Sequence, residues 1–274
     1  MKLFILAGGY GTRLSEETYA IPKPMIRVGG KPILWHIMKA YSHYGINDFV
    51  ILLGYKGYVI KEYFANYLLH QSDVTIDLAL NNMEIHHSAS EPWKVTLVET
   101  GENTMTGGRV LRARKYAEDQ AFMLTYGDGV SDVNIQHLLE HHNNHGGALT
   151  MTSVLPEGRY GTVKADKDGK VTDFTEKPHG NGGWINAGFF VCEPEIFNYL
   201  KGDDASLEGE PLQRLSDEQK LYTFRHHGSW RCMDTLRDKH TLERLWADGK
   251  AFWKVWELGL PLPSRLLMAS SISG

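Results

Sequence analysis

A glycine-rich turn near the start of the chain constrains its fold and chemistry more than any other segment. Residues 6–11 read Leu-Ala-Gly-Gly-Tyr-Gly after an apolar run, Arg13 follows, and Lys23 stands between Pro22 and Pro24. Such a turn exposes consecutive backbone N–H groups, and together with two fixed cations it is suited to holding a polyphosphate. The segment therefore predicts a nucleotide site directly after a buried strand.

This turn differs from the two commonest glycine-rich phosphate loops. A P-loop requires Gly-x-x-x-x-Gly-Lys-Ser/Thr, and the dinucleotide fingerprint requires Gly-x-Gly-x-x-Gly opening directly into a helix. Here Gly9-Tyr10-Gly11 is followed by Thr12-Arg13-Leu14, and two prolines delay the next helix. A glycine-rich turn with a nearby arginine can also be purely structural, so the prediction depends on the whole string.

Charge and hydropathy limit the partners that the chain is expected to have. The net charge is −4, with 29 basic and 33 acidic residues, so no broad positive field would attract DNA, RNA or an anionic membrane. Met1 leads straight into an apolar strand and no apolar run approaches the roughly 20 residues of a membrane helix, so we expect a cytoplasmic protein. Cys192 and Cys232 lack a Cys-x-x-Cys spacing and are interpreted as reduced thiols.

Short apolar runs alternate with helix-length amphipathic segments, a pattern typical of βαβ units. We therefore predict an α/β fold, a Rossmann-like and mostly parallel sheet with helices on both faces. Strands are predicted at 3–6, 49–53, 74–80, 95–98, 122–125 and 149–154, and helices at 33–44, 58–69, 110–116, 135–142 and 236–246.

From about residue 156 the pattern changes to hairpins, with strands at 162–165 and 171–175 around the turn Asp166-Lys167-Asp168-Gly169. A smaller β-rich subdomain facing the second substrate is expected there. We predict one domain over residues 1–256, made of a nucleotide-binding part (1–155), a sugar-binding and metal part (156–235) and a C-terminal helical part (236–256). Residues 257–274 form a tail.

A second chemical signal is Asp128, which lies between two glycines after the predicted strand 122–125. A lone Gly-Asp-Gly is usually only a turn, but its position after a buried strand, opposite the phosphate loop, favours a site. Mg²⁺ in such sites is held by one or two carboxylates together with substrate phosphates, so a second carboxylate is expected. Asp234 is the candidate, and it could equally be the N-cap of the helix predicted at 236–246.

A third group of polar residues follows the predicted hairpin. Glu176 and Lys177 precede a proline, and Asn186 lies shortly before Gly188. Lysine offers a compact charge to a phosphate, whereas glutamate and asparagine can hydrogen-bond sugar hydroxyls. Taken alone, Glu-Lys-Pro would more often be a solvated strand end.

The string Gly-Gly-x-Gly-Thr-Arg-Leu followed by Pro-Lys-Pro resembles the signature of the sugar-1-phosphate nucleotidylyltransferases. Residues 1–256 are similar to the glucose-1-phosphate cytidylyltransferase family, which makes CDP-glucose and pyrophosphate from CTP and glucose 1-phosphate for deoxysugar and lipopolysaccharide O-antigen biosynthesis. The segments that carry the resemblance are 32–38, 54–57, 91–97, 105–109 and 233–239.

The resemblance implies a role for each candidate residue. Asp128 and Asp234 would share Mg²⁺, while Glu176 and Lys177 would contact the sugar and its phosphate and Asn186 a sugar hydroxyl. Arg13 and Lys23 would be the catalytic cations. The nucleotide would contact Leu6, Ala7, Gly8, Gly9, Tyr10, Gly11, Thr12, Arg13, Lys23, Thr104, Arg109 and Asp128.

Several alternatives stay open at this stage. The nucleotide could be uridine or thymidine triphosphate, and a sugar-nucleotide sensor without catalysis could keep the same fold. A homo-oligomer is expected, with a hexamer as one form, and Trp246, Trp253 and Trp256 could serve subunit contact or core packing. His141 and His145 lie one helical turn apart, but a solvated helix face is a better interpretation than a zinc site.

Overall fold

The computed structural model describes residues 1–156, 162–175 and 183–259, and its centre is an eight-stranded mixed sheet. The strands are β1 (Lys2–Leu6), β2 (Arg27–Val28), β3 (Lys31–Pro32), β4 (Asp48–Leu53), β5 (Ser72–Asp77), β6 (Asn82–Ser88), β7 (Lys94–Glu99), β8 (Phe122–Tyr126), β9 (Gly129–Ser131), β10 (Leu149–Val154), β11 (Thr162–Ala165), β12 (Val171–Thr175), β13 (Ile185–Asn186), β14 (Phe190–Cys192), β15 (Leu221–His226) and β16 (Trp230–Cys232).

Helices connect these strands in most places. The α-helices are α1 (Ser15–Thr18), α2 (Ile33–His43), α3 (Gly57–Ala65), α4 (Tyr67–His70), α5 (Thr106–Arg112), α6 (Ile135–Asn143), α7 (Glu210–Asp217) and α8 (Leu236–Ala247). Short 3₁₀ turns are formed by Thr12–Leu14, Lys23–Met25, Arg114–Tyr116, Pro194–Asn198 and Val255–Glu257.

The central sheet runs in the order β15, β10, β14, β8, β1, β4, β7, and β13 pairs with β10 beside β14. Strand β1 is parallel to β4 and β8, β4 is parallel to β7, and β10 is parallel to β15. Only β13 and β14 pair antiparallel within the described part of this sheet. The predicted α/β class with a mostly parallel sheet is confirmed.

Two apolar cores, one on each face of the sheet, explain why the central strands are continuous hydrophobic runs. Leu3 and Ile5 face the core that includes α2 and Trp253, whereas Phe4 faces the core that includes α5 and Phe197. The helices therefore cover both faces, as predicted. Trp253 is 1 % exposed, and Trp246 and Trp256 pack against the same core, so this stripe is internal packing.

Some predicted elements needed correction. The strand predicted at 74–80 is β5, which pairs antiparallel with β6 in a separate hairpin rather than joining the central sheet. The helix predicted at 58–69 is divided at Asn66 into α3 and α4, and the helix predicted at 110–116 begins earlier, at Thr106. The hairpin predicted at 162–175 is confirmed as β11 and β12.

The histidines at the end of α6 are also packed differently from the prediction. His141 and His145 are both half-buried: His141 packs on Phe224 at 5.6 Å and His145 stacks on Tyr222 at 3.8 Å between ring centroids. The prediction that these two histidines lie on a solvated face is therefore wrong, because this end of α6 lies against β10 and β15 at the edge of the sheet. Among the described helices, none is long and apolar enough to cross a bilayer.

The order of the strands creates a crevice beside β1. The chain moves from β1 to β4 and β7 on one side, and later places β8 on the other side. Ligands in open α/β sheets bind beyond the carboxyl ends of strands at such a reversal. The loops that follow β1 and β8 are anchored there, because Ala7 N donates to Leu52 O at 3.0 Å and Gly127 N donates to Leu6 O at 2.9 Å.

Candidate active site

The glycine-rich loop after β1 forms one wall of a cleft at this crevice. A Cβ atom at Gly8 would lie 2.2 Å from the Arg109 guanidinium, so only glycine allows the loop to pass there. Gly11 has a φ of +64°, a backbone conformation that favours glycine. Apart from its chain neighbours, no described residue has an atom within 4 Å of where a Cβ atom of Gly9 would lie, so this part of the backbone faces open space.

Lys23 lies at the centre of the cleft, held by a short turn between two prolines. Met25 N donates to Pro22 O at 2.8 Å, which closes the 3₁₀ turn and directs the lysine inward. The Lys23 ammonium donates to Asp128 Oδ2 and Asp234 Oδ1, each at 2.6 Å. Burial disfavours its charge, but Asp128 and the hydrogen bonds outweigh that effect and raise the pKa of Lys23 above its usual value.

A small sheet brings the two aspartates together from distant parts of the sequence. Strands β9 and β16 pair antiparallel with Gly129 opposite Cys232, and Met233 N donates to Asp128 O at 2.9 Å. Asp234 is not the N-cap of α8. Thr235 takes that position in a capping box with Asp238, which leaves the Asp234 carboxylate free of capping and turned toward Lys23.

The second predicted cation, Arg13, lies at the mouth of the cleft. Its Nη2 atom is 3.1 Å from Asp234 Oδ1, and its side chain is 70 % exposed. Partial burial opposes the charge of Asp234, but the Lys23 hydrogen bond and the charges of Lys23 and Arg13 lower the pKa of this carboxyl group. The carboxylate is therefore ionised at neutral pH.

Asp128, Cys232 and Asp234 form a group with the geometry of a metal site. Their potential ligand atoms lie within 4.8 Å of one another. Two carboxylate oxygens suit a hard divalent cation such as Mg²⁺. The Cys232 thiol is free of disulfide, and burial and the neighbouring Asp128 raise its pKa, so the carboxylates are the fitting ligands.

Arg109 lines the cleft directly beside the glycine-rich loop and is 4 % exposed. Its guanidinium donates to Thr100 Oγ1 at 2.8 Å and to four carbonyl oxygens, which ties the glycine-rich loop to the segment that leads into α5. The accepting carbonyls belong to Gly8, Leu53, Gly101 and Glu102, at 2.7–3.1 Å.

Gly107 and Gly108, at the start of α5, allow a close backbone contact. A Cβ atom at Gly108 would lie 2.7 Å from Asp203 O, and one at Gly107 would lie 2.8 Å from Ala205 O. The glycines make room for the loop of residues 203–207. Thr104, 6 % exposed, lines the cleft just before them.

Asn186, predicted to bind the second substrate, is not among the residues that line the cleft, but it contacts Tyr126, which lines it. Its Nδ2 atom donates to the Tyr126 hydroxyl at 3.2 Å, and its Oδ1 atom accepts from Gly188 N at 2.8 Å. The predicted sugar-phosphate contacts Glu176 and Lys177 lie outside the described residues.

The cleft has a volume of about 360 Å³, and every nucleotide-contact residue predicted from the sequence lies on its wall. Sequence reasoning missed several lining residues, although most stand next to a predicted one in the chain. Adjacency to Lys23, Thr104 and Asp128 is the signal that could have found them. They are Pro24, Glu102, Asn103, Met105, Thr106, Tyr126 and Gly127.

The chain is similar to known proteins along most of its length. Residues 2–248 match the family model described as nucleotidyl transferase. The glucose-1-phosphate cytidylyltransferase of Salmonella typhimurium is 55% identical over 258 residues, which cover 94% of this chain and 100% of that protein. This relative confirms the resemblance found in the sequence.

Solved structures support the fold. The HddC protein of Yersinia pseudotuberculosis has a TM-score of 0.64 and 24% identity, with 89% of this chain and 99% of that chain covered. A UDP-glucose pyrophosphorylase complexed with UDP-glucose also has a TM-score of 0.64, at 14% identity, with 90% and 98% covered.

Proposed function

Because this chain belongs to the nucleotidyl transferase family, we propose that it transfers a cytidylyl group from CTP to α-D-glucose 1-phosphate, giving CDP-glucose and pyrophosphate. The observation that carries the proposal is the pair of carboxylates, Asp128 and Asp234, around Lys23 in a cleft walled by the glycine-rich loop. The choice of CTP and glucose 1-phosphate rests on the 55% identity to the Salmonella typhimurium enzyme.

The reaction needs a nucleophile, which the sugar phosphate itself supplies. A phosphate monoester has a second pKa near ~6, so it is mostly dianionic at pH 7 and requires no general base. One of its oxygens attacks the α-phosphorus of CTP in line, a new P–O bond forms, and the bond to the β-phosphate breaks with release of pyrophosphate. Catalysis is then positioning together with neutralisation of charge.

The cations of the cleft supply that neutralisation. Lys23 balances the α-phosphate, where charge develops, and Arg13 balances the β- and γ-phosphates. The backbone of residues 6–13 cradles the triphosphate, and Thr104 and Arg109 contact the rest of the nucleotide. Lys177 anchors the phosphate of the incoming sugar, while Glu176 and Asn186 bind its hydroxyls.

Mg²⁺ completes the proposed site. Asp128 and Asp234 would hold it, since their oxygens lie close enough for one cation to bind both. When bound, the ion would neutralise phosphate charge and help to orient the two substrates.

The proposed setting is the cytoplasm, where nucleoside triphosphates are available, and both cysteines of the chain are free thiols.

We also propose a homo-oligomer, with a hexamer as one form. One contact surface is the β5–β6 hairpin, because Ile76, Leu78, Leu80 and Met83 are 58 %, 87 %, 76 % and 47 % exposed there. A second copy presents the same surface, so a symmetric contact covers both in a dimer, and a hexamer needs a further contact surface. Light scattering of native protein and of a Leu78→Ser variant tests this, and a monomer in both contradicts it.

Identification of the product tests the proposed function. Purified protein is incubated with CTP, glucose 1-phosphate and Mg²⁺, and the reaction is followed by ³¹P NMR. We expect two diphosphate resonances of CDP-glucose to grow in step with pyrophosphate. Consumption of CTP without a sugar nucleotide, or no consumption at all, contradicts the proposal.

A further inference from the structure

A chain of hydrogen bonds joins the two sides of the cleft through a residue to which the proposed chemistry gives no role. The carboxylate of Glu208 accepts from the Tyr126 hydroxyl on Oε1, and from the Thr106 and Ser206 hydroxyls on Oε2, each at 2.6 Å. The Tyr126 oxygen in turn accepts from Asn186 Nδ2. One carboxylate therefore connects the start of α5, on the nucleotide side, to Asn186 on the sugar side.

The direction of these hydrogen bonds follows from the charges. Burial and the nearby Glu208 raise the pKa of Tyr126 above its usual value, so its hydroxyl keeps the proton. Loss of hydration opposes the charge of Glu208, but the hydrogen bonds from Ser206, Thr106 and Tyr126 outweigh it and lower the pKa of Glu208. The tyrosine thus donates to the carboxylate, and its lone pairs remain for Asn186.

The orientation of the Asn186 amide is consequently set at both ends. Its Oδ1 atom accepts from Gly188 N, and one Nδ2 proton is given to Tyr126. An amide nitrogen carries two protons, so the second can be donated to a substrate hydroxyl. Without the tyrosine contact, the amide could rotate away from this orientation.

Packing holds the chain in place. A Cβ atom at Gly188 would lie 2.8 Å from the Tyr126 ring, and Phe190 contacts the same ring at 5.8 Å between centroids. The loop that carries Glu208 is fixed to α5, because Gly108 N donates to Ala205 O at 3.1 Å and Leu207 N donates to Thr106 Oγ1 at 2.9 Å. Packing therefore holds the Tyr126 end of the contact, and hydrogen bonds to α5 hold the loop that carries Glu208.

From this geometry we propose that Glu208 is a positioning residue for the sugar phosphate. Through the Tyr126 hydroxyl, it holds the Asn186 amide in the orientation that binds a hydroxyl of the incoming sugar. The inference rests on the proposed function, and it assigns Glu208 no contact with the reacting atoms. Its loss should raise the KM for the sugar phosphate more than the KM for CTP.

Steady-state kinetics of Glu208→Gln, Tyr126→Phe and the double variant test this role. Each single variant is expected to raise the KM for glucose 1-phosphate about tenfold, while the KM for CTP changes by less than about twofold. The double variant is expected to be no worse than either single variant, because both changes break one chain of contacts. Glu208→Asp keeps the charge and should raise the sugar KM by a smaller factor.

Glu210→Gln is the matched control. Glu210 is an exposed carboxylate two positions further on, paired with Lys201 at 3.3 Å, and its loss should leave both KM values unchanged. Melting temperatures show whether each variant is folded; if Glu208→Gln is not, Glu208→Asp and Tyr126→Phe carry the comparison. An unchanged sugar KM, an equal rise in the KM for CTP, or additive effects in the double variant would overturn the positioning role.

Failure of the proposed function gives a different result, because native protein then shows no turnover of CTP with glucose 1-phosphate. In that case the same variants are compared by calorimetric titration with glucose 1-phosphate. Weaker binding by Glu208→Gln than by native protein supports the positioning role, and equal binding, or no binding by either, overturns it.

Discussion

At the scale of single residues, the cleft is organised around one lysine that forms ion pairs with two carboxylates. Asp128 and Asp234 would repel each other without a cation between them, and the Lys23 ammonium contacts both. To contact an α-phosphate, the Lys23 ammonium must give up its hydrogen bonds to these carboxylates. The metal ion proposed to bind Asp128 and Asp234 can then replace it.

Removal of this lysine should therefore expose a metal site. We expect Lys23→Gln to bind Mn²⁺ in the absence of nucleotide about tenfold more tightly than native protein, because no ammonium competes for the carboxylates. Titration of free Mn²⁺ followed by electron paramagnetic resonance measures this directly. Lys239→Gln removes a lysine that pairs with Glu17 outside the cleft and serves as control. Equal Mn²⁺ affinity in native and Lys23→Gln protein would contradict the competition.

The two cations should also be essential for turnover. Arg13→Ala and Lys23→Ala are each expected to lower kcat by about 10²-fold or more, since each removes charge that stabilises the transition state. Pyrophosphate release measures the effect, and unchanged circular dichroism shows that the fold is intact. Lys61→Ala, which breaks an exposed pair with Glu99, should retain activity. Near-native turnover in either cleft variant would refute its assigned role.

Sequence reasoning correctly predicted the location of residues that are marked by their neighbours in the chain. Arg13, Lys23 and Asp128 follow predicted strands or lie between glycines and prolines, and all three line the cleft. Glu208 was missed because its contacts with Thr106 and Tyr126 join segments far apart in the chain. No local pattern marks such a pair.

At the scale of elements, a short antiparallel pair and one helix cap determine where the second carboxylate lies. Strands β9 and β16 hold Asp128 beside Asp234, and Thr235 begins α8 directly after it. The sequence predicted this helix correctly, but it offered Asp234 as the cap. Thr235 takes the position because its hydroxyl and Asp238 form a reciprocal capping box, a contact that leaves Asp234 for the cleft.

The cap should contribute measurably to stability. We expect Thr235→Ala to lower the free energy of unfolding by about 1 kcal/mol, because a backbone N–H of the first turn loses its acceptor. Chemical denaturation monitored by circular dichroism gives the value. Thr241→Ala is the control in the same helix: its hydroxyl donates to Arg237 O, and alanine is a better helix former, so stability should not fall. Equal destabilisation by both variants would argue against the cap.

At the scale of the whole molecule, the C-terminal part of the chain packs against α2, and Trp253 contacts a buried histidine of that helix. His36 is 1 % exposed, its Nε2 atom is 2.8 Å from Val28 O, and Trp253 Nε1 donates to its Nδ1 atom at 3.3 Å. Because the tryptophan can only donate, the proton of the neutral ring is on Nε2. A second proton on Nδ1 would face another donor.

Stability should consequently fall in mild acid. Burial lowers the pKa of His36 from 6.5 to about 4, so between these values the unfolded chain binds a proton that the folded protein does not. The contribution of neutral His36 to the free energy of unfolding is on the order of 3 kcal/mol. It is present above pH 6.5 and is lost as the pH falls toward 4. Urea unfolding at several pH values should show a smaller loss between pH 6.5 and 4.5 for His36→Gln than for native protein. An equal loss of stability in native protein and His36→Gln between pH 6.5 and 4.5 would contradict this.

The most direct test of the account is the choice of nucleotide by the native protein. Pyrophosphate release is measured with Mg²⁺ and glucose 1-phosphate, with CTP, UTP, dTTP, ATP and GTP compared in parallel. The account predicts a kcat/KM for CTP about 100-fold or more above that for each other triphosphate. Equal or greater activity with another triphosphate would contradict cytidylyl transfer, and no release with any of the five would contradict catalysis on glucose 1-phosphate.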